Sequence, residues 1–273
     1  MRFRFGNRAR IPLAGRIVLG IIPFLIAALL YSHFSAQRLA ENPRDKVLPT
    51  VAKMVDSMGA FVVKSDRRSG KQQFVEDLKA SVISLGAGIA IALLLALLVG
   101  VTAGTYPFVN ALLMPIVNVF SAIPPAAIVP VLFMVADPGY ELSILFIFMA
   151  LFFVLVKDIV NQIRKIPRNL NTLLFTKGAD EWELGRENLY MVLPGILQSL
   201  KINLPLVWFA LLYGETLGAQ DGLGTRIFIL KRFSANDIIF PYILIITLIA
   251  VVLFYGIEFL IRTRYAWYHG GQS

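Results

Sequence analysis

Cysteine is absent from the 273-residue chain, and its only two histidines, His33 and His269, lie at opposite ends. The absence of cysteine excludes a disulfide, a thiolate nucleophile and a cysteine-ligated iron–sulfur site. No group of His, Asp and Glu has metal-binding spacing, and no Gly-x-x-x-x-Gly-Lys-Ser/Thr run is present to bind nucleotide phosphates. We therefore expect no metal and no cofactor, and energy for any work has to come from another chain.

Charge is also scarce. Only 16% of the residues are charged, against about 25% in ordinary soluble domains, while 57% are hydrophobic. A soluble protein of this composition could not cover its surface with polar groups. The net charge of +9 is typical of cytoplasmic anchoring to anionic lipid and does not indicate nucleic-acid binding. The composition predicts an integral protein of the cytoplasmic (inner) membrane, in contact with lipid.

Six apolar stretches are long enough to cross a bilayer, which takes about 20 helical residues. They cover residues 16–34, 81–105, 108–135, 140–160, 194–218 and 238–261. The alternating pattern of a membrane-spanning strand is absent, and backbone polar groups in lipid must be satisfied within each segment. We predict an all-α membrane protein in which residues 1–273 form a single transmembrane domain of about six helices.

Basic residues predict the orientation of these spans. Residues 1–15 form a basic tail without acids and stay cytoplasmic. Six spans then return the C-terminus to the cytoplasm and place residues 161–192, which are rich in Lys and Arg, on the same side. Residues 36–80 become an external loop, although nine Lys/Arg against six Asp/Glu leave it a net +3. Long loops cross membranes with little regard to charge, so the orientation stands.

The first span has a second interpretation. A basic region, an apolar core and Phe34-Ser35-Ala36 also fit a cleaved secretory signal. Cleavage would leave five spans without changing the direction of the others. We prefer an uncleaved anchor because Ile17–Tyr31 is long for a signal core.

Two sequence patterns, one in the external loop and one in the second span, concern helix packing. In the external loop, Pro49 suits the first turn of a helix, and an apolar stripe follows it at three- and four-residue spacing. The stripe, formed by Leu48, Val51, Val55, Met58 and Val62, predicts an amphipathic helix along the membrane surface or against the spans.

In the second span, small residues recur at every fourth position: Ala80, Ser84, Gly88, Ala92, Ala96, Gly100 and Gly104. Such stripes favour close helix packing, and we expect three or four of them to face any one helix.

The third apolar stretch is interrupted by prolines, each of which removes a backbone donor. Its centre reads Phe120-Ser121-Ala122-Ile123-Pro124-Pro125-Ala126. Interrupted helices at membrane depth are tolerated where they are buried in protein or line an aqueous cavity. We place Ser121, Pro124 and Pro125 on a translocation path in preference to a plain kink.

The cytoplasmic segment between spans four and five is the longest on that side. Acids follow a Gly-Ala pair and suit a helix N-terminus, and Pro194 marks re-entry into the membrane. A polar helix projecting there would contact a soluble partner; an ordinary interfacial loop is the alternative. The segment in question is Lys177-Gly178-Ala179-Asp180-Glu181-Trp182-Glu183-Leu184-Gly185-Arg186.

Glu215 closes a stretch, residues 195–214, whose only charge is Lys201. An acid at that depth usually faces the bundle interior or water and is a candidate for function. It could equally mark the outer interface. Both interpretations stay open at this point, and we add Glu215 to the candidate path.

These segments, in this order, resemble the permease subunits of binding-protein-dependent ABC importers, specifically the nitrate/sulfonate/taurine class. The match runs from about Asn42 to Arg262. The similar pieces are Asn42-Pro43 with Val47-Leu48-Pro49-Thr50, Ile123-Pro124-Pro125-Ala126-Ala127 with Pro130, Gly178-Ala179 with Leu193-Pro194, Tyr213-Gly214-Glu215 with Gly218-Ala219 and Gly222-Leu223-Gly224, and Asp237. No single piece is specific, but their order and spacing together are.

Two departures concern the cytoplasmic segment. The family usually carries Glu-Ala-Ala ahead of its glycine, and no such triplet occurs here. Gly178 lies 16 residues before Pro194, about one helical turn more than the family pattern. Either a turn is inserted or Glu181 replaces the aligned glycine, and either changes how the segment docks.

The resemblance implies a type I permease fold without a catalytic site of its own. Two such subunits, identical or related, would form the pathway for a small solute, with small anions as the class-level expectation. Cytoplasmic ATP-binding subunits would dock on the coupling helix around Gly178–Leu189, and an extracytoplasmic binding protein would deliver the solute. The rival hypotheses are an ion-coupled secondary transporter, for which no internal repeat is visible, and a divergent, non-transporting membrane scaffold.

Overall fold

The structure is a computed structural model that describes residues 12–43, 45–63 and 72–270. Within these ranges the chain forms eleven helices: α1 (Leu13–Glu41), α2 (Val51–Val63), α3 (Gln73–Thr105), α4 (Pro107–Ala122), α5 (Pro125–Leu132), α6 (Tyr140–Arg164), α7 (Arg168–Thr176), α8 (Glu181–Thr216), α9 (Leu223–Arg232), α10 (Asn236–Arg264) and α11 (Ala266–Gly270). They divide into two compact units, one of residues 1–61 and 230–241, the other of 62–229 and 242–273. Most of the predicted basic tail lies outside the described residues.

The predicted all-α membrane fold is confirmed. Five helices are long and apolar enough to cross a membrane: Val18–Glu41, Gln73–Thr105, Tyr140–Arg164, Glu181–Thr216 and Asn236–Arg264. The pair α4 and α5 supplies a sixth apolar segment, bent by 99° at its break.

That bend lies in the third predicted span, 108–135, where the prolines predicted an interrupted helix. Ile123 precedes a proline and is therefore held in an extended conformation, with φ −78° and ψ 124°. Pro124 continues it, with φ −58° and ψ 130°. The chain therefore leaves α4 and starts the short α5 in a new direction.

The predicted start of the fifth span needs correction. The sequence predicts a separate cytoplasmic helix that ends at Pro194, but α8 runs without a break from Glu181 to Thr216 and contains both Pro194 and Pro205. A proline inside a helix removes only one backbone bond, and Pro194, Gly195 and Ile196 are all buried. Packing around the proline therefore holds the helix together through this turn.

The pair of α3 and α6 is the most extensive helix contact in the second unit. A Cβ added at Gly88 would lie 2.7 Å from Ile147 Cβ, and one at Gly100 would lie 2.8 Å from Ile159 Cβ. Gly104 meets Ile163 in the same way. The constant offset along both chains shows that the helices run parallel and coil around each other. Three of the small residues, Gly88, Gly100 and Gly104, therefore face one partner, α6, as expected for a stripe of this kind.

The first unit contains α1, most of α2 and the first turn of α10. The Tyr31 hydroxyl donates to the Pro49 carbonyl at 2.7 Å, and Ser35 donates to Leu48 at 2.9 Å. The helix predicted after Pro49 forms as α2, but its buried residues are Met54 and Phe61. Val51 and Val55 of the predicted stripe are exposed, so the stripe is free to face lipid.

Candidate functional site

One end of the second unit contains a buried cluster of polar side chains where α3 begins and α8 ends. The Asp77 side chain is fully buried. Its carboxylate accepts from Arg226 Nε at 2.7 Å and Nη2 at 2.9 Å, from the Gly222 amide at 3.1 Å and from the Tyr242 hydroxyl at 3.2 Å. These four bonds join α3 to α9, to α10 and to the loop before α9.

Glu215 forms the second half of this cluster, and only 1% of it is exposed. Its carboxylate accepts from the Ser81 hydroxyl at 2.5 Å and from the Gly224 amide at 2.7 Å. The Ser81 oxygen accepts in turn from the Leu223 amide at 2.9 Å. Glu215 thus faces the interior and not the outer interface, and its carboxylate is satisfied by its own chain.

The glycines around Glu215 make this arrangement possible. Gly222 has φ +141°, a left-handed conformation that side chains disfavour. A Cβ added there would lie 2.6 Å from the Glu215 carboxyl carbon, and one at Gly224 would lie 2.5 Å from the Leu212 carbonyl oxygen. The Gly-Leu-Gly sequence therefore lets the loop backbone approach the acid closely enough to donate hydrogen bonds.

The electrostatics of the cluster favour an ion pair between Arg226 and Asp77. Burial lowers the pKa of Arg226, but its hydrogen bonds and proximity to Asp77 more than offset this, so the pKa lies above its ordinary value. Removing one partner of such a pair leaves an uncompensated buried charge, which costs about 3–5 kcal/mol. The cluster therefore fastens four helices, α3, α8, α9 and α10, and the loop before α9 at this end.

Sequence reasoning found Glu215 but missed Asp77 and Arg226. Asp77 was assigned to the external loop, whereas α3 begins four residues earlier, at Gln73. An acid inside a membrane-spanning helix was the available signal. Arg226 carried no comparable signal, because it lies between predicted spans.

The other predicted path residues lie elsewhere. The Ser121 hydroxyl donates to the Asn118 carbonyl of its own helix at 3.0 Å. Pro124 is exposed at the break, and Pro125 is half-buried as the first residue of α5. Within the described residues, no hydrogen bond or ion pair joins this break to Glu215, so the structure does not bring the four residues into one site.

The predicted coupling segment forms an exposed corner between α7 and α8. The α7 helix ends in a Schellman motif: the Gly178 amide donates to Phe175 and the Ala179 amide to Leu174, both at 3.0 Å. Gly178 takes the required positive φ of +88°. Lys177 closes α7, Asp180 caps α8, and the remaining predicted residues, Glu181, Trp182, Glu183, Leu184, Gly185 and Arg186, form the first turns of α8.

Asp180 and Glu183 form a capping box, as the acids after the Gly-Ala pair predicted. The Asp180 carboxylate accepts from the Glu183 amide at 2.7 Å. The corner is tied to the bundle by the Tyr106 hydroxyl, which donates to the Glu181 carbonyl at 3.0 Å. Trp182 nevertheless remains 80% exposed.

The corner lies at the end of the bundle opposite the buried cluster. Asn188 Nδ2 donates to Thr105 Oγ1 at 3.4 Å, and Arg164 Nη2 donates to Asn110 Oδ1 at 2.7 Å. The first bond joins the start of α8 to the end of α3, and the second joins the end of α6 to the start of α4. The corner end therefore collects the basic residues at the ends of α6 and α10 and around α7: Arg164, Lys165, Lys177, Arg186, Arg262 and Arg264.

Lys201, the charge inside the fifth span, is paired. Its ammonium lies 2.5 Å from Glu258 on α10, and Arg262 bonds the same carboxylate at 2.7 Å. An ion pair in a membrane-spanning region is costly unless it is well satisfied. This one joins α8 to α10. Among the described residues, no group of three or more His, Asp or Glu could hold a metal ion.

Comparison with known proteins decides the family. The profile of the binding-protein-dependent transport system inner membrane component matches residues 73–263. The chain belongs to this family. Its members are permease subunits of ABC importers, so the chain is a multi-pass protein of the inner membrane, and the resemblance seen in the sequence is confirmed.

Individual relatives are distant. The permease is 27% identical to the taurine transport system permease protein TauC of Escherichia coli K12 over 74% of this chain and 75% of the relative. It is 25% identical to the aliphatic sulfonates transport permease protein SsuC of Bacillus subtilis 168, described as putative, over 67% of this chain and 64% of the relative. A chain of the MetNI methionine ABC transporter, solved in inward-facing conformations, shares the fold: TM-score 0.58, 20% identity, 76% of this chain and 97% of that one.

Proposed function

We propose that this permease forms, with a second copy or a related chain, the pathway of an importer driven by ATP hydrolysis on separate cytoplasmic subunits. An extracytoplasmic binding protein delivers a small solute to it. The names of the taurine and sulfonate relatives support a small organic acid as the solute. The observation that carries the proposal is the exposed corner between α7 and α8, on a chain that belongs to the importer family.

The α7–α8 corner has the properties of a protein-docking surface. Three large apolar side chains stand out from it: Leu173 at 50% exposure, Phe175 at 51% and Trp182 at 80%. Exposed aromatic side chains with a polar surround are typical of binding hot spots. We assign the contact with the ATP-binding subunit to this corner, including α7, and not to a separate helix over Gly178–Leu189.

The continuous α8 connects this contact to the opposite end of the bundle. A 36-residue helix is about 54 Å long at 1.5 Å per residue. It begins at the corner and ends at Glu215 in the buried cluster at the other end of the bundle. Movement of the corner by an ATP-binding subunit would therefore be carried along one rigid element to the opposite membrane face.

The charge distribution supports a cytoplasmic corner. Basic residues gather at the corner end of the bundle, and positive charge favours the cytoplasmic side. The C-terminus leaves α10 at this end after Arg262 and Arg264, and is cytoplasmic. The break at Ile123-Pro124 lies in a broken apolar segment of the kind that lines transport pathways, and we keep Ser121, Pro124 and Pro125 on the path.

Purification of the tagged permease from native membranes in mild detergent tests this function. We expect an ATP-binding subunit to co-purify with ATPase activity, and to be lost when residues 173, 175 and 182 are changed to alanine together. The matched control changes exposed apolar residues of α10, Leu244, Leu248 and Val252, and should keep the subunit. Repeated recovery of the wild-type permease without any ATPase would favour a scaffold or a secondary transporter.

A further inference from the structure

An open cavity of about 620 Å³ lies at the corner end of the permease, between the ends of the spans and α7. Its walls come from α6, α7, α8 and the C-terminal α11. Ligand pockets commonly have volumes of about 300–1,000 Å³, so the cavity is large enough for a small solute. The side chains used below are Asp158, Gln162, Lys165, Gln198 and Ser199.

The floor of the cavity is unusually polar for facing membrane-spanning helices. The Gln162 amide donates to the Ser199 hydroxyl at 3.3 Å, and Ser199 lines the cavity together with Asp158. Gln198 adds a further amide. Gly195 leaves the room that the Gln162 side chain occupies. Polar groups on both helices therefore converge on the cavity and can donate and accept hydrogen bonds.

The charges of the cavity are one acid and one base. Asp158 lies within the span formed by α6, and no ion pair to it forms among the described residues. An acid in such a segment marks a functional site by default. Lys165, which caps the end of α6, lies seven residues after Asp158, about 10 Å away along the helix axis, at the exposed rim. The two charges are thus separated and point to different parts of an occupant.

We propose that this cavity binds a small zwitterion, in which an ammonium group pairs with Asp158 and an acidic group pairs with Lys165. The proposal rests on the proposed function for the presence of a solute, and it refines the solute class from an anion to a molecule that also carries an ammonium group. An anion alone would leave Asp158 unpaired and repel it. A cation alone would leave Lys165 unused.

The absence of cysteine makes the test direct, because a single introduced cysteine has no background. Gln198→Cys reports on the cavity, and Thr263→Cys, on the exposed surface of α10, is the matched control. Labelling by a water-soluble thiol reagent is measured on the purified permease. Three probes of one skeleton are compared: 2-aminoethanesulfonate (taurine), 2-hydroxyethanesulfonate (isethionate), which lacks the ammonium, and ethanolamine, which lacks the acid.

We expect taurine to slow labelling of Cys at position 198 by about tenfold at ten times its Kd, and to leave position 263 unchanged. Asp158→Asn, which removes the charge but keeps the size of the side chain, should weaken this protection at least about tenfold. An unchanged labelling rate without solute shows that the variant is folded. If isethionate or ethanolamine, or both, protected position 198 as well as taurine does, the zwitterion site would be overturned. Absence of protection by all three probes would overturn it too.

The two proposals fail separately. Co-purification of an ATP-binding subunit combined with no protection at position 198 overturns the cavity assignment and leaves the importer intact. Protection by taurine without a co-purifying ATPase overturns the coupling to ATP hydrolysis and leaves the cavity.

Discussion

The two ends of the helical bundle treat their polar residues in opposite ways. At one end, Asp77, Arg226 and Glu215 are buried. Asp77 pairs with Arg226, and Glu215 accepts from the Ser81 hydroxyl and the Gly224 amide. At the other end, the α7–α8 corner keeps its backbone rigid through caps but leaves Trp182 exposed. The first arrangement fastens helices within the chain, whereas we propose that the second forms a docking surface for another protein. Mutations in the buried cluster should therefore lower stability, whereas mutations at the exposed corner should mainly weaken partner binding.

The largest effect on stability is expected for Asp77→Ala. The substitution leaves the buried Arg226 guanidinium without its partner, and we expect the free energy of unfolding to fall by about 3–5 kcal/mol. Thermal unfolding in detergent measures it. Glu76→Ala is the control, because Glu76 forms a partly exposed pair with Lys79 that is worth at most about 1 kcal/mol. Equal losses in the two variants would contradict a fastening role for Asp77.

A somewhat smaller loss is expected for Gly224→Ala. The new Cβ would meet the Leu212 carbonyl and the Glu215 carboxylate. Overpacking of this kind lowers the free energy of unfolding by about 1–3 kcal/mol. The control is Gly256→Ala in α10, where nothing lies within 4 Å of an added Cβ. That change should stabilise the helix by up to about 1 kcal/mol. Unfolding of both variants under the same conditions provides the comparison, and a neutral Gly224→Ala would show that the loop can move away from α8.

At the corner, Gly178→Ala should cost about 1–2 kcal/mol, because alanine has to adopt a left-handed conformation there. No atom lies within 4 Å of the added Cβ, so the cost is conformational and not steric. Gly185→Ala, in the first turns of α8 and equally free of contacts, should instead be slightly stabilising. We expect retention of the ATP-binding subunit to fall only for Gly178→Ala. A loss with both variants would mean that the surface of α8, and not the turn, is the sensitive feature.

The smallest effect on stability is expected for Trp182→Ala, within about 0.5 kcal/mol, because the side chain is 80% exposed. The same variant should lose most of the co-purifying ATP-binding subunit. The two readouts are unfolding and pull-down from one preparation. Retained binding would remove Trp182 from the docking surface while leaving the rest of the corner in place.

Sequence patterns were enough to predict what depends on local chemistry. Proline pairing at Pro124 and Pro125 predicted the break after α4, and acids after Gly178-Ala179 predicted the start of α8. Both are determined by residues adjacent in the chain. The small residues of the second span likewise predicted close packing, though not that α6 would be the partner.

Long-range pairing was not predictable in the same way. Asp77 and Arg226 are 149 residues apart, and no pattern in either segment indicates the other. The continuity of α8 through Pro194 was missed because the cost of a proline is local, whereas the packing that offsets it comes from buried neighbours. The cavity at Asp158 depends on α6 and α8 facing each other, which a single sequence does not reveal.

Photocrosslinking tests the contrast between the two ends most directly. A photoreactive amino acid replaces Trp182 at the corner or Asp221 beside the buried cluster, in otherwise identical permeases, in native membranes. We predict that position 182 crosslinks to an ATP-binding subunit and that position 221 does not. Crosslinking of that subunit at position 221, or at neither position while it co-purifies, would contradict the assignment of the α7–α8 corner as its docking surface.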